Sequence, residues 1–198
     1  MDRIEEIKRK NGIATVRLLS GDVLHVPSAV YLERRLRPGQ EIDPEAYRFF
    51  MRQRGYPHAL EAAMKFLALR ERSRQEVRAR LRRSCYDEET IARVLDTLCL
   101  HDLVSDPRFA EQWVHHRARR YGKRRIAQEL RMKGISGQEA QQALDALPDE
   151  EEFRQATEQA RKLSRKFHGD QQKIAQALVR RGYNWSAARK AAAAAEGP

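Results

Sequence analysis

Apolar positions in the first part of the chain alternate, whereas beyond about Pro57 they recur at helical spacing. In the leader the apolar marks are Ile4, Ile7, Ala14, Val16, Leu18, Val23 and Val26. They are separated by Asn11-Gly12 and by Ser20-Gly21-Asp22. Asn-Gly between alternating runs is a strong hairpin signal, because both residues tolerate positive φ. The pattern predicts a three-stranded meander ending at Pro27. Such a sheet is marginal alone and needs a helix on one face. Ala29 to Leu36, with Val30, Leu32 and Leu36 apolar, is the predicted cover; Arg37-Pro38-Gly39 then turns the chain. Asp43-Pro44 suits a helix cap and first turn, opening a helix that carries Tyr47, Phe50 and Met51.

The helical part repeats itself. VRARLRRSCYDEETIARVLDTL from Val77, IAQELRMKGISGQEAQQALDAL from Ile126 and IAQALVRRGYNWSAARKAAAAA from Ile174 align without a gap. Val77, Ile126 and Ile174 begin an apolar pair that Leu81, Leu130 and Leu178 complete four residues on. Tyr86, Ile135 and Tyr183 follow at a turn, preceded by Gly134 and Gly182 in two copies and by Cys85 in the first. Ile91, Ala140 and Ala188 then open a closing helix. An earlier helix precedes each segment, marked by Phe66, by Phe109-Trp113-Tyr121, and by Phe153-Ala156-Ala160-Leu163-Phe167. Ser73 to Glu76 and Ser136 to Glu139 fit capping boxes, Asp170 and Asn184 suit caps, and glycine suits the left-handed residue that ends a helix. The expected fold is mainly α: three tandem three-helix repeats in an elongated array, after a small β-rich leader. Expected boundaries are 1–56 for the leader and 57–105, 106–148 and 149–198 for the repeats.

Charge adds a function class. The chain has 198 residues, 34% of them charged, with a formal net charge of +11 and a pI near 10.0. Between Arg117 and Lys133, eight cations face Glu129 alone. Such a run suits a polyanion or an acidic protein surface. Cys85 and Cys99 show no metal or disulfide spacing, His115 and His116 point to different helix faces, and no phosphate-binding glycine loop or nucleophile elbow occurs. No enzyme activity, cofactor or metal is therefore expected. No apolar run is long enough to cross a bilayer and no signal peptide is present, so the expected place is the cytoplasm. The aromatic trio Phe109, Trp113 and Tyr121 reads as helix core in preference to a base-stacking platform.

The stretch around Asp106, Arg108, Phe109 and Ala110, together with Arg125-Ile126, Leu130 and Lys133-Gly134-Ile135, resembles the RecX family of recombination regulators. The resemblance spans about residues 60 to 195. Pro107 stands where the family often has an acidic residue, a position that proline suits as an opening helical residue. The resemblance implies a regulator that binds the RecA recombinase on its single- or double-stranded DNA and lowers ATP hydrolysis and strand exchange. A monomer with no membrane partner is expected. The family-motif residues here are Asp106, Arg108, Phe109, Ala110, Ile126, Leu130 and Gly134.

The candidate contact surface is cationic. Arg74, Arg78 and Arg82 recur every fourth residue and form one helix stripe. Arg117 and Arg120 precede Gly122, which interrupts their helix; Lys123, Arg124, Arg125, Arg131 and Lys133 follow, with Arg124 and Arg131 on one face. Arg161 and Arg165 make a further pair, alongside Lys162 and Lys166. An autonomous helical DNA-binding protein or transcription regulator is the competing reading, and it predicts steep salt dependence on naked DNA.

Overall fold

The computed structural model describes residues 1–195. Two compact units, Met1–Val104 and Ser105–Pro198, divide the chain. The first begins with strands β1 (Asp2–Lys10), β2 (Ile13–Leu18) and β3 (Val23–Pro27). Asn11 and Gly12, at φ 52° and 80°, form the tight β1–β2 turn that Asn-Gly favours. Period-two burial follows, so Ala14, Val16 and Leu18 face the core while Arg17 faces out. A fourth strand, β4 (Glu41–Ile42), pairs with Asp2 and Arg3, giving the antiparallel order β3-β2-β1-β4. The expected three-stranded meander therefore gains an edge strand, too short to leave a periodic mark.

Helix α1 spans only Ser28–Glu33, shorter than the expected Ala29 to Leu36. Leu32 is exposed, whereas Leu36 is buried beyond the helix, where the Tyr31 hydroxyl donates to its carbonyl. Helix α2 (Pro44–Leu67) is capped by Asp43, whose carboxylate accepts from the Glu45 and Ala46 amides at 3.0 and 3.2 Å. It runs unbroken through Pro57, so the boundary expected between residues 56 and 57 falls inside a helix. Proline there removes one backbone donor, and burial of Tyr47, Ala59 and Ala63 offsets that loss. Helices α3 (Arg74–Arg83) and α4 (Glu88–Leu100) complete the unit. Sheet and helices share one core, in which Ile4 and Val16 belong to the same cluster as Val77, Leu81 and Leu98.

The second unit contains α5 (Asp106–Ala118), α6 (Lys123–Met132), α7 (Gly137–Asp145), α8 (Asp149–Phe167), α9 (Gln171–Arg180) and α10 (Trp185–Ala194). It holds two cores, one around Phe109, Ile126 and Leu130 and one around Ala160, Ile174, Leu178 and Tyr183. Phe153, the first apolar mark of the third repeat's opening helix, is exposed at the start of α8. The second bundle's α7 carries a full capping box between Ser136 and Glu139. In the first bundle Ser73 accepts from the Glu76 amide while the Glu76 carboxylate meets Arg70.

The repeat is a repeat of turns as well as of helices. The amides of Tyr86, Ile135 and Tyr183 each reach back five residues, to the carbonyls of Leu81, Leu130 and Leu178 at 3.3, 3.1 and 3.2 Å. The residue before each is left-handed: Cys85 at φ 63°, Gly134 at 80° and Gly182 at 94°. Cys85 stands where the other two copies have glycine, yet it adopts the same left-handed conformation, with the buried Leu81 and Tyr86 beside it.

Candidate functional site

Helix α5 opens on the Asp106-Pro107 pair. Ser105 is the cap, its hydroxyl accepting from the Arg108 amide at 3.3 Å; Asp106 and Pro107 fill the first turn, where the carboxylate suits the helix dipole. This start aims Phe109 and Ala110 into the core and stacks Phe109 on Trp113, ring centres 5.6 Å apart. Ile126 and Leu130 are fully buried, and Gly134 makes the turn. Most of the family-motif residues thus build the bundle that carries the surface.

Much of the basic run is spent inside that bundle. Arg117 donates from Nε and Nη2 to the two carboxylate oxygens of Glu129, at 2.7 and 2.5 Å. The indole of Trp113 donates to the same carboxylate at 3.1 Å, and Arg125 Nε at 3.4 Å. The guanidinium carbons of Arg117 and Arg125 each lie 4.2 Å from the Tyr121 ring centre, and Lys133 Nζ lies 4.6 Å from that of Trp113. Burial alone would raise the Glu129 carboxyl, but the hydrogen bonds and charge of Arg117, with Arg125 and Trp113, hold it below the usual carboxylate range. The same bond raises Arg117 above its ordinary value. Glu129, the lone acid of the run, is its hub.

The expected twelve-residue basic surface therefore separates. Arg117 is half-buried in the Glu129 cluster and does not share an outward face with Arg120 and Arg124. Lys123 pairs with Asp149 at 2.8 Å, and its side chain is only 25% exposed. Arg125 and Lys133 lie over aromatic rings. Arg120, Arg124 and Arg131 remain exposed, as do Arg161 and Arg165 on α8. In the first unit Arg74, Arg78 and Arg82 line exposed positions of α3, with Arg82 bound to Glu88 at 2.7 Å.

Two glycines fix what stands beside α6. The Gly122 amide donates to the Arg181 carbonyl at 3.0 Å, and the Arg124 amide to the Gly182 carbonyl at 3.2 Å. A Cβ on Gly122 would lie 2.4 Å from the Tyr183 amide nitrogen; one on Gly182 would lie 2.4 Å from the Arg125 Cβ. Glu152 adds a carboxylate that accepts from the Lys123 amide at 3.0 Å. The amides that open α6 are thus committed to protein partners, so an anion there must be met by side chains. An open groove of about 400 Å³ runs beside this contact, between Arg124, Gln128 and Met132 on α6 and Val179 and Arg180 on α9. Arg180 and Arg181 were missed as candidates, although Arg181 falls at the repeat position of Lys133.

Comparisons with known proteins agree with this architecture. Residues 59–98 match the model for the first three-helix domain of RecX, and residues 105–144 that for the second. The regulatory protein RecX of Oceanobacillus iheyensis is 32% identical over 167 residues, covering 80% of this chain, and the chain spans 61% of that protein's length. The RecX of Prosthecochloris aestuarii is 34% identical over 132 residues, covering 64% of this chain and 85% of its own. A crystal structure of regulatory protein RecX shares the fold at a TM-score of 0.65 and 23% identity, covering 94% of this chain and 97% of its own. No helix among the described residues is long and apolar enough to cross a membrane. The chain belongs to the RecX family of regulatory proteins.

Proposed function

We propose that this protein binds the RecA recombinase on its DNA filament and lowers ATP hydrolysis and strand exchange, acting in the cytoplasm as a monomer with no cofactor. The observation that carries the reading is the exposed pair Arg124 and Arg131 on α6, a helix held rigidly by the Gly122 contact and by the buried Ile126 and Leu130. Rigid presentation lets cations meet an acidic protein surface without much loss of side-chain and backbone freedom. The segments 57–105, 106–148 and 149–198 are the modules that present such faces in this reading. Arg125 is set apart from the contact pair, because its backbone presses on Gly182 and its side chain serves Tyr121 and Glu129.

The test is a strand-exchange and ATPase titration against the host's recombinase, comparing the wild type with R124E/R131E. The wild type inhibits, and the double variant binds the filament more weakly while keeping its fold. Unchanged ATPase and strand exchange on adding the wild type defeats the reading. Unchanged filament binding by the folded double variant removes these two arginines from the interface.

A further inference from the structure

Strand β3 is one edge of the sheet, since the order is β3-β2-β1-β4. Its register against β2 decides which backbone groups stay open. The Leu18 amide donates to the Asp22 carbonyl at 2.9 Å, and the Ser28 amide to the Gly12 carbonyl at 2.8 Å. Bonded pairs alternate along an antiparallel register, so Leu24 bonds to Val16 and Val26 to Ala14. Val23 and His25 therefore turn their N–H and C=O groups away from the sheet. Pro27 ends the run with a carbonyl and no donor. Exposed edges are usually blunted by shortness, a bulge or a lysine. The opposite edge, β4, is two residues long. β3 instead keeps an unbroken register with β2 and carries no lysine.

A groove of about 250 Å³ lies beside this edge. Val23 and His25 line it from β3, Met51 and Arg52 from α2, and Cys85 and Tyr86 from the turn between α3 and α4. The volume is below the roughly 300–1,000 Å³ of a small-molecule site, and it suits single side chains of an extended chain. Burial pushes the Cys85 thiol up, so it serves as lining and not as a nucleophile. The charge of the groove is one-sided. Its acid, Asp87, is taken by the Thr90 amide and hydroxyl, at 2.9 and 2.7 Å. Arg48 pairs with Glu45, while Arg52 is exposed. On the outer face of the sheet Arg17, exposed, is the register partner of Val23.

We propose that the β3 edge and this groove take up an acidic, extended peptide segment of a partner protein, which joins the sheet as a new edge strand. The open groups of Val23 and His25 supply main-chain hydrogen bonds, and the groove supplies selectivity. Alternate side chains of an added strand point to opposite faces. One set meets Met51, Tyr86 and Arg52, and the other meets Arg17 and His25. A sequence alternating apolar and acidic residues satisfies both, with the cations excluding a basic strand. The site belongs to the first unit and does not rest on recombinase binding by α6.

Fluorescence anisotropy with the full chain and a short labelled peptide alternating glutamate and valine tests it. The peptide binds, and its counterpart with lysine for glutamate binds at least about tenfold more weakly. N-methylation of one alternate set of its amides abolishes binding while methylation of the other set does not, because an added strand turns only half of its amides to the edge. His25→Pro removes one outward amide without touching a bond to β2, and weakens binding about tenfold. Arg52→Glu, on the exposed side of α2, weakens it about fivefold. Should H25P fail to fold, the methylated pair reads the same bonds from the ligand's side. Absence of binding by the glutamate peptide overturns the proposal. Equal binding by the two methylated peptides does so too, since it reduces the contact to charge, as does wild-type affinity in a folded R52E.

Discussion

Arg117 and Arg181 sit in the same unit, both half-buried, and differ in the chemistry that holds them. Arg117 ends on a carboxylate shared with Trp113 and Arg125, so its charge is answered within the fold. Arg181 ends on the Gln159 amide, an uncharged partner that leaves its positive charge in place. The first arrangement stabilises a bundle; the second leaves positive potential on it. Counting arginines therefore says little about a binding surface until the partner of each is known.

The sharpest way to break this comparison is to part the two bundles that frame it. Gly122→Ala places a methyl against the Tyr183 amide and the Gly182 carbonyl, so the backbones must separate. The expected loss is about 3 kcal/mol, read as a fall in Tm. Wild-type Tm in this variant would mean that the close approach adds nothing. Glu129→Ala comes next, since it leaves Arg117 and Trp113 without their acceptor: about 2 kcal/mol by denaturant titration. The pair R117M/E129L is expected to recover much of that loss, because it removes both buried charges. A double variant no more stable than E129A refutes the paired account.

Acid separates the two arrangements further. The folded Glu129 carboxyl lies below its ordinary 4.5, so its contribution is complete above that value and fades as pH falls through the folded one. Wild-type stability should therefore drop below about pH 4.5 more steeply than that of E129Q. Equal slopes would show that the cluster is not titrating. At the small end, R124E/R131E is expected to shift stability by less than about 0.5 kcal/mol, as both side chains are exposed. A larger thermal shift would give them a structural role and make their binding defect uninformative.

The turns and caps were the most legible features. Asn11-Gly12, Asp43, Ser136, Gly134 and Gly182 behave as their local chemistry demands. Cys85 shows that register can outweigh residue type, because its neighbours Leu81 and Tyr86 occupy the same buried places as in the other copies. The basic surface was legible only as a total. Arg124 and Arg131 emerge on one exposed face of α6, but Arg117, Lys123 and Lys133 turn to Glu129, Asp149 and Trp113, which lie on other helices. Strand β4 and the passage of α2 through Pro57 leave no periodic signal, since two residues are too few to alternate and a proline reads as a stop.

By itself, the sequence determined the helices, their repeat, the turns between them and the excess of positive charge. These depend on contacts between residues close along the chain: apolar spacing, side chains that cap their own helix, and a left-handed residue after the last turn. Tertiary structure alone decided which arginines are neutralised and which remain open. That choice depends on whether Glu129 or Gln159, each on another helix, arrives at the guanidinium. The Gly122–Gly182 approach was likewise decided there: a glycine's lack of a side chain matters only once another backbone comes within reach of where that side chain would have been.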